Sequence, residues 1–433
     1  MREMKNSGYF WIGDLPQEWE ASPIKYLLTN ERDAIKVGPF GSQLSGNDFT
    51  DEGYWVYNQR SVIDKNFDDN TVFISKEKYD AMKGFHVRSG DILITTRGTI
   101  GRICQVPERF EPGILHPCII KFRVDEKRIN YEFLERVIND SDLVKIQLMY
   151  KSNATTIDVI YSETLRNMVI PIPPMGEQIR IVNYLRPICT EIDGVVDDIH
   201  SQIDILEQYK KSVIAEAVSH GLNDSVQMID SGIKWIGMMP SHWEIIRGKY
   251  ILTYMQKPVR EDDGVITCFR DGEVTLRSNR REDGFTMSDK EIGYQGIDIG
   301  DLVVHGMDGF AGAIGISDSR GKASPVLNVL DTKQNKRYIM YYLRSMAYSD
   351  VFLALATGIR VRSCDLRWNK LAELSYPVPP LEEQQAIVDH IDSVIEKTDA
   401  VIADKKAQLE TLDEYKKSLI FEYVTGKKEV PVA

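Results

Sequence analysis

Pro171-Ile172-Pro173-Pro174-Met175-Gly176-Glu177-Gln178 is echoed 206 residues later by Pro377-Val378-Pro379-Pro380-Leu381-Glu382-Glu383-Gln384. The two copies stay in register, without a gap, to Tyr209-Lys210-Lys211-Ser212 and Tyr415-Lys416-Lys417-Ser418. A second repeat lies upstream of each. Trp11-Ile12-Gly13, Pro16, Trp19-Glu20, Lys25-Tyr26 and Thr29 reappear as Trp235-Ile236-Gly237, Pro240, Trp243-Glu244, Lys249-Tyr250 and Thr253, displaced by 224. Self-similarity at fixed displacement marks a duplicated architecture. The order is lead-in, variable block, helix, then the same again, the second block being 18 residues shorter. The blocks share only fragments, such as Gly90-Asp91 with Gly300-Asp301 and Gly98-x-x-Gly101 with Gly309-x-x-Gly312. A duplicated frame around two diverged inserts implies one task performed on two different targets.

Each Pro-Pro opens a long helix, since proline is tolerated at a helix start and Glu177 or Glu383 suits the positive end of the macrodipole. Apolar residues recur at Ile181, Leu185, Ile188, Ile192, Val195, Ile199, Ile203, Leu206, Val213 and Ala217. Ile387, Ile391, Val394, Val401, Leu409, Leu412, Leu419 and Tyr423 form the matching series. Spacings of four and three predict a coiled-coil seam, with one extra four at Ile199–Ile203 and Lys405–Leu409 reading as a stutter. Gly221 and Gly426 end the helices. Glu177–Ser219 would extend about 64 Å at 1.5 Å per residue. A compact block of this size has a radius of gyration of roughly 14 Å, too small to carry the chain back along such a rod. The second helix should therefore start near the end of the first and run antiparallel to it.

The net charge of −12 sits uneasily with phosphate binding. Its distribution removes most of the difficulty. Met175–Asn223 holds 4 basic and 8 acidic residues and Leu381–Gly426 holds 5 and 11, so the helices carry −10 of the −12. The blocks are near neutral. Five scattered cysteines, never in a CxxC pair, point to reduced thiols in a cytoplasm rather than a disulfide framework or zinc site. No apolar run is long enough for a bilayer, and Met1–Gly13 lacks the form of a signal peptide.

The paired WIGxxPxxWE lead-ins and the paired PxPPxxEQ helix starts together resemble the specificity subunit of type I restriction–modification enzymes, over essentially the whole chain. That resemblance implies an α+β fold: two globular α/β target recognition domains separated by two long antiparallel helices in a coiled coil, with a pseudo-twofold internal repeat. Expected boundaries are 1–170 and 223–376 for the recognition domains, and 171–222 and 377–433 for the helices. Each domain would read one half of a bipartite site on double-stranded DNA. Half-sites on one face of the duplex lie about 10–10.5 base pairs apart, or a multiple. The helices would dock two methyltransferase subunits, with restriction–translocase subunits completing the complex. No cofactor is expected in this chain; S-adenosylmethionine, ATP and magnesium would belong to the partners. Apolar residues beyond the intrachain seam, namely Val182, Val196, Ile214, Val388, Ile402 and Ile420, are the expected docking positions for partner helices.

Base edges are read best by Arg on guanine and by Asn or Gln on adenine, whereas Lys, Ser, Thr and backbone amides hold phosphates. In the first block the candidates are Gln59 and Arg60, then Arg97 and Thr99 in a glycine-rich turn, then Lys151, Ser152 and Asn153. In the second they are Arg277, Asn279, Arg280 and Arg281, the densest basic cluster, with His305 before the matching glycine turn and Arg360 and Arg362 in the place of Lys151–Thr156. The plain alternative for each is a solvated loop charge.

Catalytic motifs are lacking. There is no GxxxxGK[ST] loop, and Gly309-x-x-Gly312-x-x-Gly315 reads as a tight turn rather than a dinucleotide fingerprint. No Asn-Pro-Pro-aromatic motif occurs, the seven histidines form no HxxxH or HExxH, and His116-Pro117-Cys118 reads as core. Two rival readings are a single-chain modification enzyme and a coiled-coil adaptor whose heads bind protein. A third places the same specificity module in a methylation-only system.

Overall fold

The computed structural model describes residues 2–152, 159–280, 292–355 and 366–431, with backbone only at 42, 151 and 152. Two compact units emerge: Met1–Asp198 with Ala407–Ala433, and Ile199–Lys406. The division cuts across the linear order because the helices Met175–His220 (46 residues) and Leu381–Val424 (44 residues) each contribute one end to each unit.

The first unit is built on a four-stranded antiparallel sheet in the order Ile35–Val37, Ile119–Phe122, Ile92–Thr95, Ile103–Gln105. The second carries Leu252–Met255, Leu327–Thr332, Leu302–His305, Ile314–Ile316, again antiparallel. In both, the sheet positions are filled by the first, fourth, second and third strands in chain order, so the blocks share a topology that their side chains conceal. The shared Gly-Asp fragments start the second strand laid down. Gly90 and Gly300 adopt φ of +80° and +84°, a conformation that favours glycine. The aspartates that follow are buried and ion-paired, Asp91 with Lys121 at 3.0 Å and Arg123 at 2.7 Å, Asp301 with Lys257 at 2.7 Å. A second sheet in the first unit pairs Gly113–Leu115 in parallel with Tyr54–Tyr57.

The duplicated motifs interlock. Strand Glu20–Pro23, after the lead-in, pairs antiparallel with Val169–Ile172, just before the first long helix. Glu244–Arg247 pairs in the same way with Ser375–Val378. The indole N–H of Trp19 donates to Glu177 at 2.8 Å, and that of Trp243 donates to Glu383 at 3.1 Å. Gln178 accepts from the Asn130 amide at 2.8 Å and donates to the Pro173 carbonyl at 2.9 Å. Gln384 does the same with Asn335 at 2.9 Å and Pro379 at 2.8 Å. The Glu-Gln of PxPPxxEQ is therefore a structural clasp. The far end of the other helix closes it: a Cβ on Gly426 would lie 2.4 Å from Pro16 and 3.2 Å from Trp19, and one on Gly221 would lie 3.1 Å from Trp243.

Within each unit the helix segments run antiparallel. In the first, Tyr423 donates to Tyr184 at 3.2 Å and Lys416 pairs with Asp193. In the second, Lys210 pairs with Asp399 at 2.6 Å. These two ion pairs are counterparts under the 206-residue displacement. The seam differs from the sequence expectation. Its inward positions are Val182, Leu185, Cys189, Ile192 and Val196 in the first unit, followed in the second by Ile199, Ile203, Leu206, Lys210, Val213 and Ala217. The other helix follows with Val388, Ile391, Ile395, Thr398, Ile402 and Lys405, then Leu409, Leu412, Lys416, Leu419 and Tyr423. This is an unbroken heptad alternation in both copies, with no stutter.

The expected stutter arose from counting apolar residues only. Cys189, Lys210, Thr398 and Lys416 occupy seam positions, while Val195 and Val401 are 43% and 45% exposed. The lysines lie along the seam on their aliphatic stems and carry the ammonium out to an aspartate. The same shift corrects the expected docking residues. Val182, Ile214, Val388, Ile402 and Ile420 are between 0% and 4% exposed, and Val196 packs against the first unit's core. Five of the six are therefore spent on packing within the chain, and Val196 is half-buried.

Candidate nucleic-acid interface

In the first unit, the loops at the end of strand Ile92–Thr95 converge. Asn58 caps the short helix Gln59–Ile63 by accepting from the Arg60 and Ser61 amides at 2.9 and 3.3 Å, a normal N-cap arrangement. Gln59, next to the cap, donates its side-chain amide to the Arg97 carbonyl. Two of the three candidate loops are thereby joined. Arg97 and Thr99 are exposed in the turn, whose shape is set by Thr95 donating to the Thr99 carbonyl at 2.5 Å. Arg60 projects into solvent with its side chain 80% exposed and Asp64 at 3.2 Å. The side chains of Lys151 and Ser152, and all of Asn153, lie outside the described residues, but the chain returns to the same place, with the Ile160 amide on the Thr96 carbonyl at 2.9 Å.

The second unit repeats that return. Arg281, Arg360 and Arg362 lie outside the described residues; the following Leu366 donates its amide to the Gly306 carbonyl at 2.8 Å, and Asn328 donates to the Leu366 carbonyl at 3.1 Å. Ile160 and Leu366 are counterparts at the 206-residue displacement. In both units the chain just after the third candidate loop is thus tied to the turn that follows the second strand laid down.

His305 ends its strand with Nδ1 accepting from the Asp308 amide at 2.9 Å and the Met307 amide at 3.2 Å. That geometry assigns its proton to Nε2. Burial holds its pKa below the ordinary imidazole value, with Asp308 opposing and Arg270 reinforcing the shift, so the ring is neutral at physiological pH and offers one donor. Arg277 donates Nε to Thr267 at 2.9 Å, and Asn279 donates to Thr275 at 2.9 Å.

Arg280 is less available than a basic cluster suggests. It is paired with Asp271 at 2.7 Å and Glu273 at 2.9 Å, and its guanidinium lies over the Phe269 ring at 4.2 Å from the centroid. The fold also adds residues the sequence reading passed over. Arg270, with its side chain 68% exposed, pairs with Asp308 at 2.9 Å. Arg270, Phe269, Arg277, Arg280 and His305 all line one hollow of about 590 Å³. Nothing in the linear sequence around Phe269-Arg270 links it to a loop 38 residues downstream.

Among the described residues no group of three or more His, Cys, Asp or Glu could hold a metal ion, and no helix is long and apolar enough to cross a membrane. Arginines, amides and a donor-only histidine, gathered at loop ends, match the groups that read base edges in a groove.

Comparison with known proteins is consistent with this geometry. The chain is 22% identical to the type I restriction enzyme MjaVIII specificity subunit of Methanocaldococcus jannaschii, covering 96% of this chain and 94% of that protein. It is 21% identical to the type I restriction enzyme EcoBI specificity subunit of Escherichia coli, covering 86% and 76%. Its fold matches a chain in a solved structure described as "Structural basis underlying complex assembly and conformational transition of the type I R-M system", with a TM-score of 0.66 and 18% identity over 96% of this chain and 99% of that one. The family model for the type I restriction modification DNA specificity domain matches residues 37–196 and 295–411. Each match contains one of the two PxPPxxEQ helix starts, at 171–178 and 377–384, and the chain belongs to the type I restriction modification DNA specificity family.

Proposed function

We propose that this chain is the non-catalytic recognition subunit of a cytoplasmic type I restriction–modification complex. Each unit reads one half of a bipartite site on double-stranded DNA. Two methyltransferase subunits and the restriction–translocase subunits supply the chemistry, together with their S-adenosylmethionine, ATP and magnesium. The observation that carries this reading is the pair of units with one topology and one clasp but different loop-end side chains. A shared frame with unlike surfaces suits two dissimilar half-sites.

Methylation-sensitive sequencing of the host genome should return one motif made of two unlike halves separated by unspecified bases. A continuous motif, or none, would overturn the proposal. The purified chain alone should neither methylate nor cut DNA. Arg277→Ala in the assembled complex is expected to cost about 1–3 kcal/mol of binding and to relax preference at one position of one half-site. A uniform loss across all sequences at fixed salt would reassign Arg277 to the phosphates.

The docking face shifts to residues that the seam leaves outside. Val195 and Tyr415 in the first unit are 43% and 54% exposed; Val401 and Tyr209 in the second are 45% and 51% exposed. Each of the four precedes a seam position by one residue, which in an antiparallel pair puts both members on the same side. The register that sets Lys416 beside Asp193 brings Tyr415 across from Val195, and that of Lys210 with Asp399 brings Tyr209 across from Val401. Two matching apolar patches support two copies of one partner. Tyr209→Ala and Tyr415→Ala should each weaken capture of one methyltransferase by about 2 kcal/mol, the scale of an aromatic hot spot. Unchanged stoichiometry and affinity by native mass spectrometry and calorimetry would exclude this face.

A further inference from the structure

The hollow in the second unit is unsuited to a phosphate. Its three arginines stand among three carboxylates: Arg270 pairs with Asp308, Arg280 pairs with both Asp271 and Glu273, and Arg277 donates to Thr267. His305 is neutral, and burial pushes the Cys268 thiol far above its ordinary pKa, so it too stays neutral. No net positive charge remains to draw in an anion.

The hollow also has an apolar floor, which a groove-reading surface does not require. Ile266, Cys268 and Leu327, each 2–4% exposed, line it and belong to a hydrophobic cluster of this unit. An intact duplex presents only base edges in its grooves, and its width keeps the stacked rings from such a floor. One wall is already a stack of planar groups, the Arg280 guanidinium over the Phe269 ring at 4.2 Å. Donors on Arg277 and His305 and acceptors on Asp308 and Thr267 stand around the apolar floor. An apolar base, a planar wall and hydrogen-bonding groups of both signs suit a neutral planar heterocycle, and a volume of about 590 Å³ gives it ample room.

We propose that this hollow receives a single nucleobase extruded from the second half-site, stacked against the Arg280–Phe269 wall and read by His305 and Arg277. The inference rests on the DNA-reading function proposed above. It adds that specificity at one position comes from taking a base out of the helix, where its whole hydrogen-bonding perimeter is accessible. No bond is made or broken; the base returns when the complex dissociates.

The test uses the full complex with its methyltransferase subunits and cognate duplexes carrying a mismatch opposite each position of the second half-site in turn. Extrusion costs least where the base is already unpaired. Binding should therefore tighten by about tenfold or more at one position distinct from the methylated base. Arg280→Gln and the conservative Phe269→Leu, each checked for an unchanged melting midpoint, should remove that gain. A gain that persists in both folded variants would place the base elsewhere and overturn the assignment. Sequence-specific binding with no tightening at any position would overturn extrusion while leaving half-site reading intact. Loss of all sequence preference in the unmodified complex would overturn both.

Discussion

Trp19→Ala is expected to destabilise the first unit by about 3–5 kcal/mol, the usual cost of emptying a fully buried tryptophan site. Trp19 is 0% exposed, donates to Glu177 at 2.8 Å and lies against Gly426 at the end of the second long helix. Its removal leaves a cavity and strips a donor from a carboxylate that is itself largely buried. The loss should be local. Hydrogen exchange should accelerate in peptides spanning 169–192 and 419–426, with those of the second unit unchanged; equal acceleration in both units would contradict the clasp.

A pH dependence follows from the same carboxylate. Burial alone would raise the Glu177 pKa, but the hydrogen bonds from Arg2 and Trp19 outweigh it and hold the carboxyl below its usual value. A depressed folded-state pKa contributes stability above the unfolded value of about 4.3, and that contribution is lost as pH falls through the folded value. Urea unfolding of the first unit should show this acid-side loss, and Glu177→Gln should lack that component.

The duplication was legible because the clasp needs particular chemistry at fixed spacing: an indole, a carboxylate, a side-chain amide and a helix-ending glycine. Those groups tolerate little substitution, so they stand out as WIGxxPxxWE and PxPPxxEQ. The antiparallel course of the helices followed from chain reach. The exact seam did not, because a heptad position is defined by direction and not by hydrophobicity. Lys210 and Lys416 face inward along their stems while Val195 and Val401 face out, and a count of apolar residues inverts both.

The candidate interface was half legible for a related reason. Gln59, Arg97 and His305 stand at loop ends that sequence can locate. Arg270 reaches the same hollow only through a pairing with Asp308 on another segment, and the two carboxylates on Arg280 are likewise set by the fold. A run of arginines shows charge, but the neighbours that cancel it are brought in by tertiary structure.

The shared Gly-Asp fragment allows a comparison between the units, and Asp91→Ala should be among the most damaging single changes in the chain. Asp91 accepts from the Arg88 amide at 2.9 Å and pairs with Lys121 at 3.0 Å and Arg123 at 2.7 Å. The Lys121 side chain is only 9% exposed, with the His86 carbonyl at 2.6 Å as its other partner. Deleting the carboxylate leaves a buried ammonium uncompensated, at a cost of about 3–5 kcal/mol. Its counterpart in the second unit is built more leniently. Lys257 is 20% exposed and pairs with Asp298 as well as Asp301, so Asp301→Ala leaves it a carboxylate and solvent. About 1–3 kcal/mol is expected there, the worth of a charged hydrogen bond. Because the larger loss comes from stranding a charge, Lys121→Met added to Asp91→Ala should recover most of it, as paired replacement of buried ions commonly does. Chemical unfolding followed by hydrogen exchange in each unit measures all three variants. A double variant no more stable than Asp91→Ala would mean that the aspartate acts through its turn and not through the lysine.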